Sequence, residues 1–177
     1  DVAGADDLAR GRVPNVPAEM GARAELAGLA HACGALSLGA GGIQLKLLTE
    51  NKSVVTRIFS LIKRLYGMDP QLRQSSSPLQ KEIYELRIQP ANPPAFLEGL
   101  AIPFALPFRI DPHSPLFAAL LAEEGCRAAY LRGAILGGGV ISDPNRDYHM
   151  EFISGSRASA QAVIAVLAHF SLHAKCL

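Results

Sequence analysis

Apolar positions along the chain fall into two series that read alike. In the first, Arg23–Gly34 has a helical composition and ends on glycine, a common stop signal. Ala35–Leu38 and Ile43–Thr49 are short apolar or alternating runs separated by Gly39, Gly41 and Gly42, the pattern of a hairpin with a glycine-rich turn. Ser53 then stands where an N-cap belongs for a helix over Val54–Tyr66. Its Val55, Ile58, Phe59, Ile62 and Leu65 follow helical spacing, and Gly67 closes it. After the polar stretch Gln71–Ser77, Glu82–Ile88 reads as a strand. The second series repeats this order. A helix is predicted over about Arg127–Leu136, strands over Gly139–Ile141 and Tyr148–Ile153 around a turn at Asp143–Asp147, and a helix over Ala158–Phe170.

Sliding the chain against itself by 105 positions overlays residues 22–68 on 127–173 without a gap. Leu26 meets Leu131, Gly28 meets Gly133, Gly34 meets Gly139 and Ser37 meets Ser142. Leu45/Met150, Leu47/Phe152, Ile58/Val163, Phe59/Ile164, Ile62/Leu167 and Leu65/Phe170 match as apolar pairs. A duplication explains both sets. The chain then divides into an N-terminal segment (1–21), a first repeat (22–90), a connector (91–125) and a second repeat (126–177). A helical fragment is expected around Asp6–Arg10. Seven of the chain's twelve prolines lie in Pro90–Pro115, which predicts little regular structure before a short helix at Leu116–Glu124. The second repeat lacks a counterpart of the first one's last strands, so the native polypeptide is expected to continue beyond Leu177.

Each repeat opens with small residues four apart, Gly28 with Ala32 and Gly133 with Gly137. On a helix these share a face and let two backbones approach closely. Leu26–Gly34 reads LAGLAHACG, which resembles the nine-residue motif of the LAGLIDADG homing endonucleases at Leu26, Ala27, Gly28, Leu29, Ala32 and Gly34. LRGAILGGG at Leu131–Gly139 is a weaker match. Arg127–Glu151 (RAAYLRGAILGGGVISDPNRDYHME), Arg23–Leu38 and the opening DVAGADDLAR are similar to the WhiA family of bacterial transcription regulators. The resemblance implies an α+β fold of duplicated αββαββα halves about a pseudo-twofold axis, the second half incomplete. It also implies a saddle of strands that sits on DNA, and a helix-turn-helix domain after this module. By family resemblance the role is transcription regulation in sporulation and cell division.

The endonuclease chemistry requires a carboxylate at the eighth motif position of each helix, to hold magnesium at the scissile phosphates. Those positions hold Cys33 and Gly138, and His31 replaces the sixth-position acid of the first copy. A thiol suits magnesium poorly and glycine offers no ligand. No enzymatic activity, metal or other cofactor is therefore expected. Asp143, Asp147, Glu151 and Glu50 lack the symmetric placement that a relocated site would need. Cys33, Cys126 and Cys176 show neither disulfide nor zinc spacing.

Net charge changes the picture for DNA. At +1 over 177 residues the chain is nearly neutral, so nucleic-acid binding needs a local patch or a further domain. Strand alternation turns Ile43, Leu45 and Leu47 to one face and Gln44, Lys46 and Leu48 to the other. Gln44, Lys46, Arg73, Lys81 and Arg87 are the candidate DNA contacts of the first half. His149, Glu151 and Ile153 face outward in the second, where Glu151 opposes phosphate. Double-stranded DNA, bound weakly through this module alone, and transcription-machinery proteins are the expected partners. No apolar run reaches the roughly 20 residues of a membrane span and no signal-peptide layout is present, so a bacterial cytoplasmic, nucleoid-associated location is expected. Two alternatives stand beside this reading: a magnesium-dependent endonuclease with a relocated site, and a protein-interaction module that no longer binds DNA.

Overall fold

In the computed structural model, which describes residues 17–76, 81–105, 108–142 and 149–176, the two sequence repeats are two copies of one helix–hairpin–helix unit. The first runs α1 (Ala18–Cys33), β1 (Gly34–Gly39), β2 (Gly42–Thr49) and α2 (Lys52–Tyr66), and continues into β3 (Gln71–Ser76) and β4 (Glu82–Ile88). Helices α3 (Pro93–Gly99) and α4 (Pro115–Leu120) follow. The second copy runs α5 (Glu124–Gly138), β5 (Gly139–Ile141), β6 (Met150–Phe152) and α6 (Arg157–Ala168).

The 105-residue offset holds at the level of individual caps. Asn51 caps α2 by accepting from the Ser53 backbone N–H, and Ser156, its counterpart, caps α6 by accepting from the Ser159 N–H. Gly34 and Gly139 end the two motif helices in extended backbone. A Cβ would lie 2.1 Å from the Ala30 carbonyl oxygen at Gly34 and 2.6 Å from the Ile135 carbonyl oxygen at Gly139. Only glycine lets the chain pass straight from helix to strand here.

The first half forms an antiparallel sheet in the order β1-β2-β4-β3, the second a two-stranded sheet of β5 and β6. Leu45, Leu47, Tyr84, Leu86 and Ile88 are buried on the inner face of the larger sheet, beneath α1 and α2. Full burial of each such leucine or isoleucine stabilises by about 1.5–3 kcal/mol. Helices α1 and α5 form the most extensive contact between elements and join the halves. A Cβ on Gly28 would lie 2.1 Å from the Tyr130 carbonyl oxygen, and one on Gly133 2.0 Å from the Glu25 carbonyl oxygen. Gly137 lies against Ala32, with 2.8 Å from its would-be Cβ to the Ala32 Cβ.

Several expectations need correction. Asn51, not Ser53, is the cap of α2, because its carboxamide reaches the Ser53 N–H. Gln71–Ser76 is a strand although every residue in it is exposed. It is an edge held by backbone pairing to β4, and exposure on both faces hides the alternation. The proline-rich connector contains α3, which starts on Pro93 and Pro94 under an Asn92 cap, prolines being tolerated in a first turn. The connector's second helix is Pro115–Leu120, ending before Glu124, which already begins α5. Of the described residues expected in the second strand, β6 takes Met150–Phe152, and α6 ends at Ala168. The expected helix at Asp6–Arg10 and turn at Asp143–Asp147 lie outside the described residues.

Candidate nucleic-acid interface

The two eighth motif positions stand at the C-terminal ends of α1 and α5, and both are closed to metal chemistry. Cys33 is half-buried, and its Sγ donates to the Leu29 carbonyl at 3.3 Å. Burial pushes its thiol up to about 11, with a Leu48 backbone hydrogen bond working the other way, so it is a neutral thiol at pH 7. At Gly138 there is no room for a ligand side chain. A Cβ would lie 2.5 Å from the Ile153 carbonyl oxygen and 3.1 Å from the Phe152 ring, and the Gly138 carbonyl accepts from the Ile153 N–H at 2.8 Å. The donor set does not fit magnesium. Among the described residues no group of three or more His, Cys, Asp or Glu is placed to hold a metal ion.

Behind these ends, two buried polar groups tie the halves together. The ring nitrogens of His31 lie 2.8 Å from the Leu100 carbonyl oxygen and 2.9 Å from the Tyr130 hydroxyl. A carbonyl only accepts, so Nε2 carries the proton and Nδ1 accepts from Tyr130. Burial lowers the His31 pKa to about 4, keeping the ring neutral, and Phe117 stacks on it at 6.1 Å. His31 is thus fully packed between α1, α5 and the connector.

Glu25 was not singled out in the sequence, yet it is fully buried. Arg57 of α2 grips it through two bonds of 2.7 and 2.6 Å, and Arg132 of α5 adds a third at 2.7 Å. Burial alone would raise this carboxyl, but the Arg57 and Arg132 hydrogen bonds outweigh it and hold the pKa below its ordinary value. A signal was present. Glu25 lies three residues before Gly28 on the helix face that packs closest, and a charge there requires partners.

On the outer face of the larger sheet the strand register collects the predicted residues. Lys46 pairs with Arg87 across β2 and β4, Arg87 with Gln71 across β4 and β3, and Arg73 with Glu85. Gln44, two residues from Lys46, shares the face. Arg87 is not a free cation, since its Nε donates to Glu85 on the same strand. Lys81 stands apart, just before β4, in an exposed ion pair with Glu50 at 3.2 Å. Among the described residues the face therefore holds Lys46, Arg73 and Arg87 beside Glu85, with Asp69 at its margin.

The second half presents different chemistry at the equivalent positions. The offset sets His149 against Gln44, Glu151 against Lys46 and Ile153 against Leu48. His149 lies 3.2 Å from Glu151, and both are exposed. Leu48 and Ile153 are exposed apolar residues beside the two helix ends, at 47% and 63%. Lys46, Arg73 and Arg87 thus lie on one side of an exposed apolar pair, and Glu151 lies on the other.

Residues 19–102 match the family model described as the WhiA N-terminal LAGLIDADG-like domain, and residues 127–177 that of the WhiA LAGLIDADG-like domain. The probable cell division protein WhiA of Alkaliphilus oremlandii is 36% identical over 159 residues, covering 86% of this chain and 49% of that protein. Its counterpart in Desulforamulus reducens is 35% identical over 160 residues, with 86% and 48% covered. The chain spans about half the length of these relatives. In fold it is similar to the crystal structure of the N-terminal LAGLIDADG domain of DUF199/WhiA, at a TM-score of 0.67 and 18% identity, covering 92% of this chain and 73% of that one. It is also similar to variants of the homing endonuclease I-DmoI, at a TM-score of 0.54 and 10% identity, over 88% and 79%.

Proposed function

The chain belongs to the WhiA family, and from that premise we propose that it is a non-catalytic, DNA-associated module of a transcription regulator acting in cell division and sporulation. In the longer protein it positions a helix-turn-helix domain, and transcription-machinery partners, on promoter DNA. The observation that carries the loss of catalysis is Gly138. Its would-be Cβ lies 2.5 Å from the Ile153 carbonyl oxygen, so the second half cannot offer the acid that a two-metal cut requires. Lys46, Arg73 and Arg87, with Gln44, support contact with the phosphate backbone and groove edges through the first half. Glu151 works against such contact in the second, so the module alone binds weakly. Among the described residues no helix is long and apolar enough to cross a membrane.

One observation favours a second reading. Val140, Ile141, Met150 and Ile153 are all exposed on the second half, the composition of a protein-binding surface. The readings separate on supercoiled plasmid with magnesium. The proposal expects the plasmid to be retarded at low salt and left uncut. Nicking would revive an endonuclease, and no retardation at any salt would leave the protein-interaction module.

A further inference from the structure

On the outer face of the larger sheet lies a cavity of about 240 Å³ whose lining includes Gln44, Gln71, Gln89, Arg87, Asp69 and Met68. The register assembles it. Gln71 is opposite Arg87, and the Leu45–Ile88 pair sets Gln44 beside Gln89. Gln44 Nε2 donates to Gln89 Oε1 at 3.0 Å. Both amides lie over the glycine turn of the first hairpin. A Cβ on Gly39 would lie 2.2 Å from Gln44 Nε2, and one on Gly41 1.9 Å from Gln89 Nε2. The absence of side chains at these glycines makes room for the two carboxamides. The Gln71 amide has no hydrogen-bond partner among the described residues.

Three carboxamides, a guanidinium and a carboxylate around one recess present alternating donors and acceptors, the pattern of a nucleobase edge. The charges narrow the choice. With its Nε held by Glu85, the Arg87 guanidinium keeps its two terminal nitrogens to donate to the O6 and N7 acceptors of guanine. The Asp69 carboxylate, whose Oδ2 accepts from Lys63 Nζ at 2.8 Å, keeps Oδ1 to accept from the N1–H and N2–H₂ edge of the same base, whereas adenine offers an acceptor at N1. Met68 supplies a polarisable apolar contact for the ring. The volume lies below the roughly 300–1,000 Å³ of pockets that enclose a drug-sized ligand, so it accommodates one base and leaves sugar and phosphate outside.

We infer that this recess binds the guanine base of a free guanine nucleotide. Because Arg87 belongs to both surfaces, the nucleotide competes with DNA for the sheet face. That competition rests on the proposed function, whereas the binding itself does not. The same base edge could also be presented by duplex DNA, so the test separates the two sources.

The isotope-labelled chain is titrated with GMP, AMP, CMP and ribose 5-phosphate, and separately with a guanine-rich duplex, following backbone amide shifts. GMP should give saturable shifts at Gln71, Arg87 and Gln89, with AMP and CMP roughly tenfold weaker. Ribose 5-phosphate should leave those amides unmoved. Gln71→Leu, at an exposed residue without a side-chain partner, should weaken GMP roughly tenfold with the remaining spectrum unchanged, and Asp69→Asn should erase the preference for guanine over adenine. Equal shifts from ribose 5-phosphate, or GMP binding indifferent to both substitutions, would overturn the assignment. So would a response to the duplex with none to GMP, which would make the amides duplex readers. If GMP binds while DNA does not, the nucleotide site stands and the proposed DNA contact falls.

Discussion

Gly28 and Gly133, 105 positions apart, meet the opposite helix in the same way, each set against a backbone carbonyl where a Cβ would approach to 2.1 and 2.0 Å. The contact is reciprocal: Gly28 touches Tyr130 and Gly133 touches Glu25. A backbone oxygen cannot rotate aside as a side chain can, so a methyl group here forces the helices apart. Gly28→Ala and Gly133→Ala should each destabilise the chain by about 3 kcal/mol or more, at the upper end of overpacking. Gly21→Ala in the same helix, with nothing within 4 Å, should stabilise by about 0.5–1 kcal/mol. Urea unfolding of the three variants checks both signs.

His31 and Glu25 make stability fall with acid in two successive windows. The folded His31 pKa, about 4, lies below its ordinary value of 6.5, so the unfolded chain binds the extra proton between these limits. Stability is complete above pH 6.5 and should decline, by on the order of 3 kcal/mol, as pH falls to 4. Glu25 is also lowered, so its contribution is present above its unfolded pKa of 4.5 and goes as pH falls through the folded one, a window that opens as the histidine one closes. Unfolding free energy measured from pH 7 to 3 should keep the upper decline in Glu25→Gln and lose it in His31→Phe. His31→Phe should also cost about 1–3 kcal/mol at pH 7, because the Leu100 carbonyl and Tyr130 hydroxyl lose their partner.

Returning acids to the motif should not return cleavage. Gly138→Asp drives its side chain into the Ile153 carbonyl and Phe152 ring and should destabilise by about 1–3 kcal/mol. Cys33→Asp, at a half-buried helix end, should be the milder change. The double variant should leave plasmid DNA intact with magnesium, as read by gel, while thermal melting reports the cost of each substitution.

Ser171 holds a positive φ of 56° after α6, where the Leu172 N–H returns to the Leu167 carbonyl. An L side chain pays for this conformation and glycine does not. Ser171→Gly should stabilise by about 0.5–1 kcal/mol in chemical denaturation.

The duplication was legible in the sequence because each repeat must bury the same helix and strand faces, and the shared offset extends to Asn51 and Ser156, which cap equivalent helices. The missing acids were legible for a simpler reason, since Cys33 and Gly138 are read directly. Strand β3 was hidden because Gln71–Ser76 has no buried face to impose alternation; its partner β4 alone defines it. The place of Glu25 on the packing face was legible beside Gly28, but its partners were not, because Arg57 and Arg132 lie 32 and 107 residues away and local pattern carries no information about them. The ion pair of Lys81 with Glu50, just past the end of β2, joins residues 31 apart and has no local signature.

The measurement that bears most directly on the proposed function is duplex DNA affinity as a function of salt, for the chain and for Lys46→Ala with Arg87→Ala. Each phosphate contact contributes about 0.9 to the log–log slope. The account predicts weak binding at low salt, no cleavage with magnesium, and a slope reduced by about one to two in the double variant. A slope that the double variant leaves unchanged, or no binding even at low salt, would contradict it.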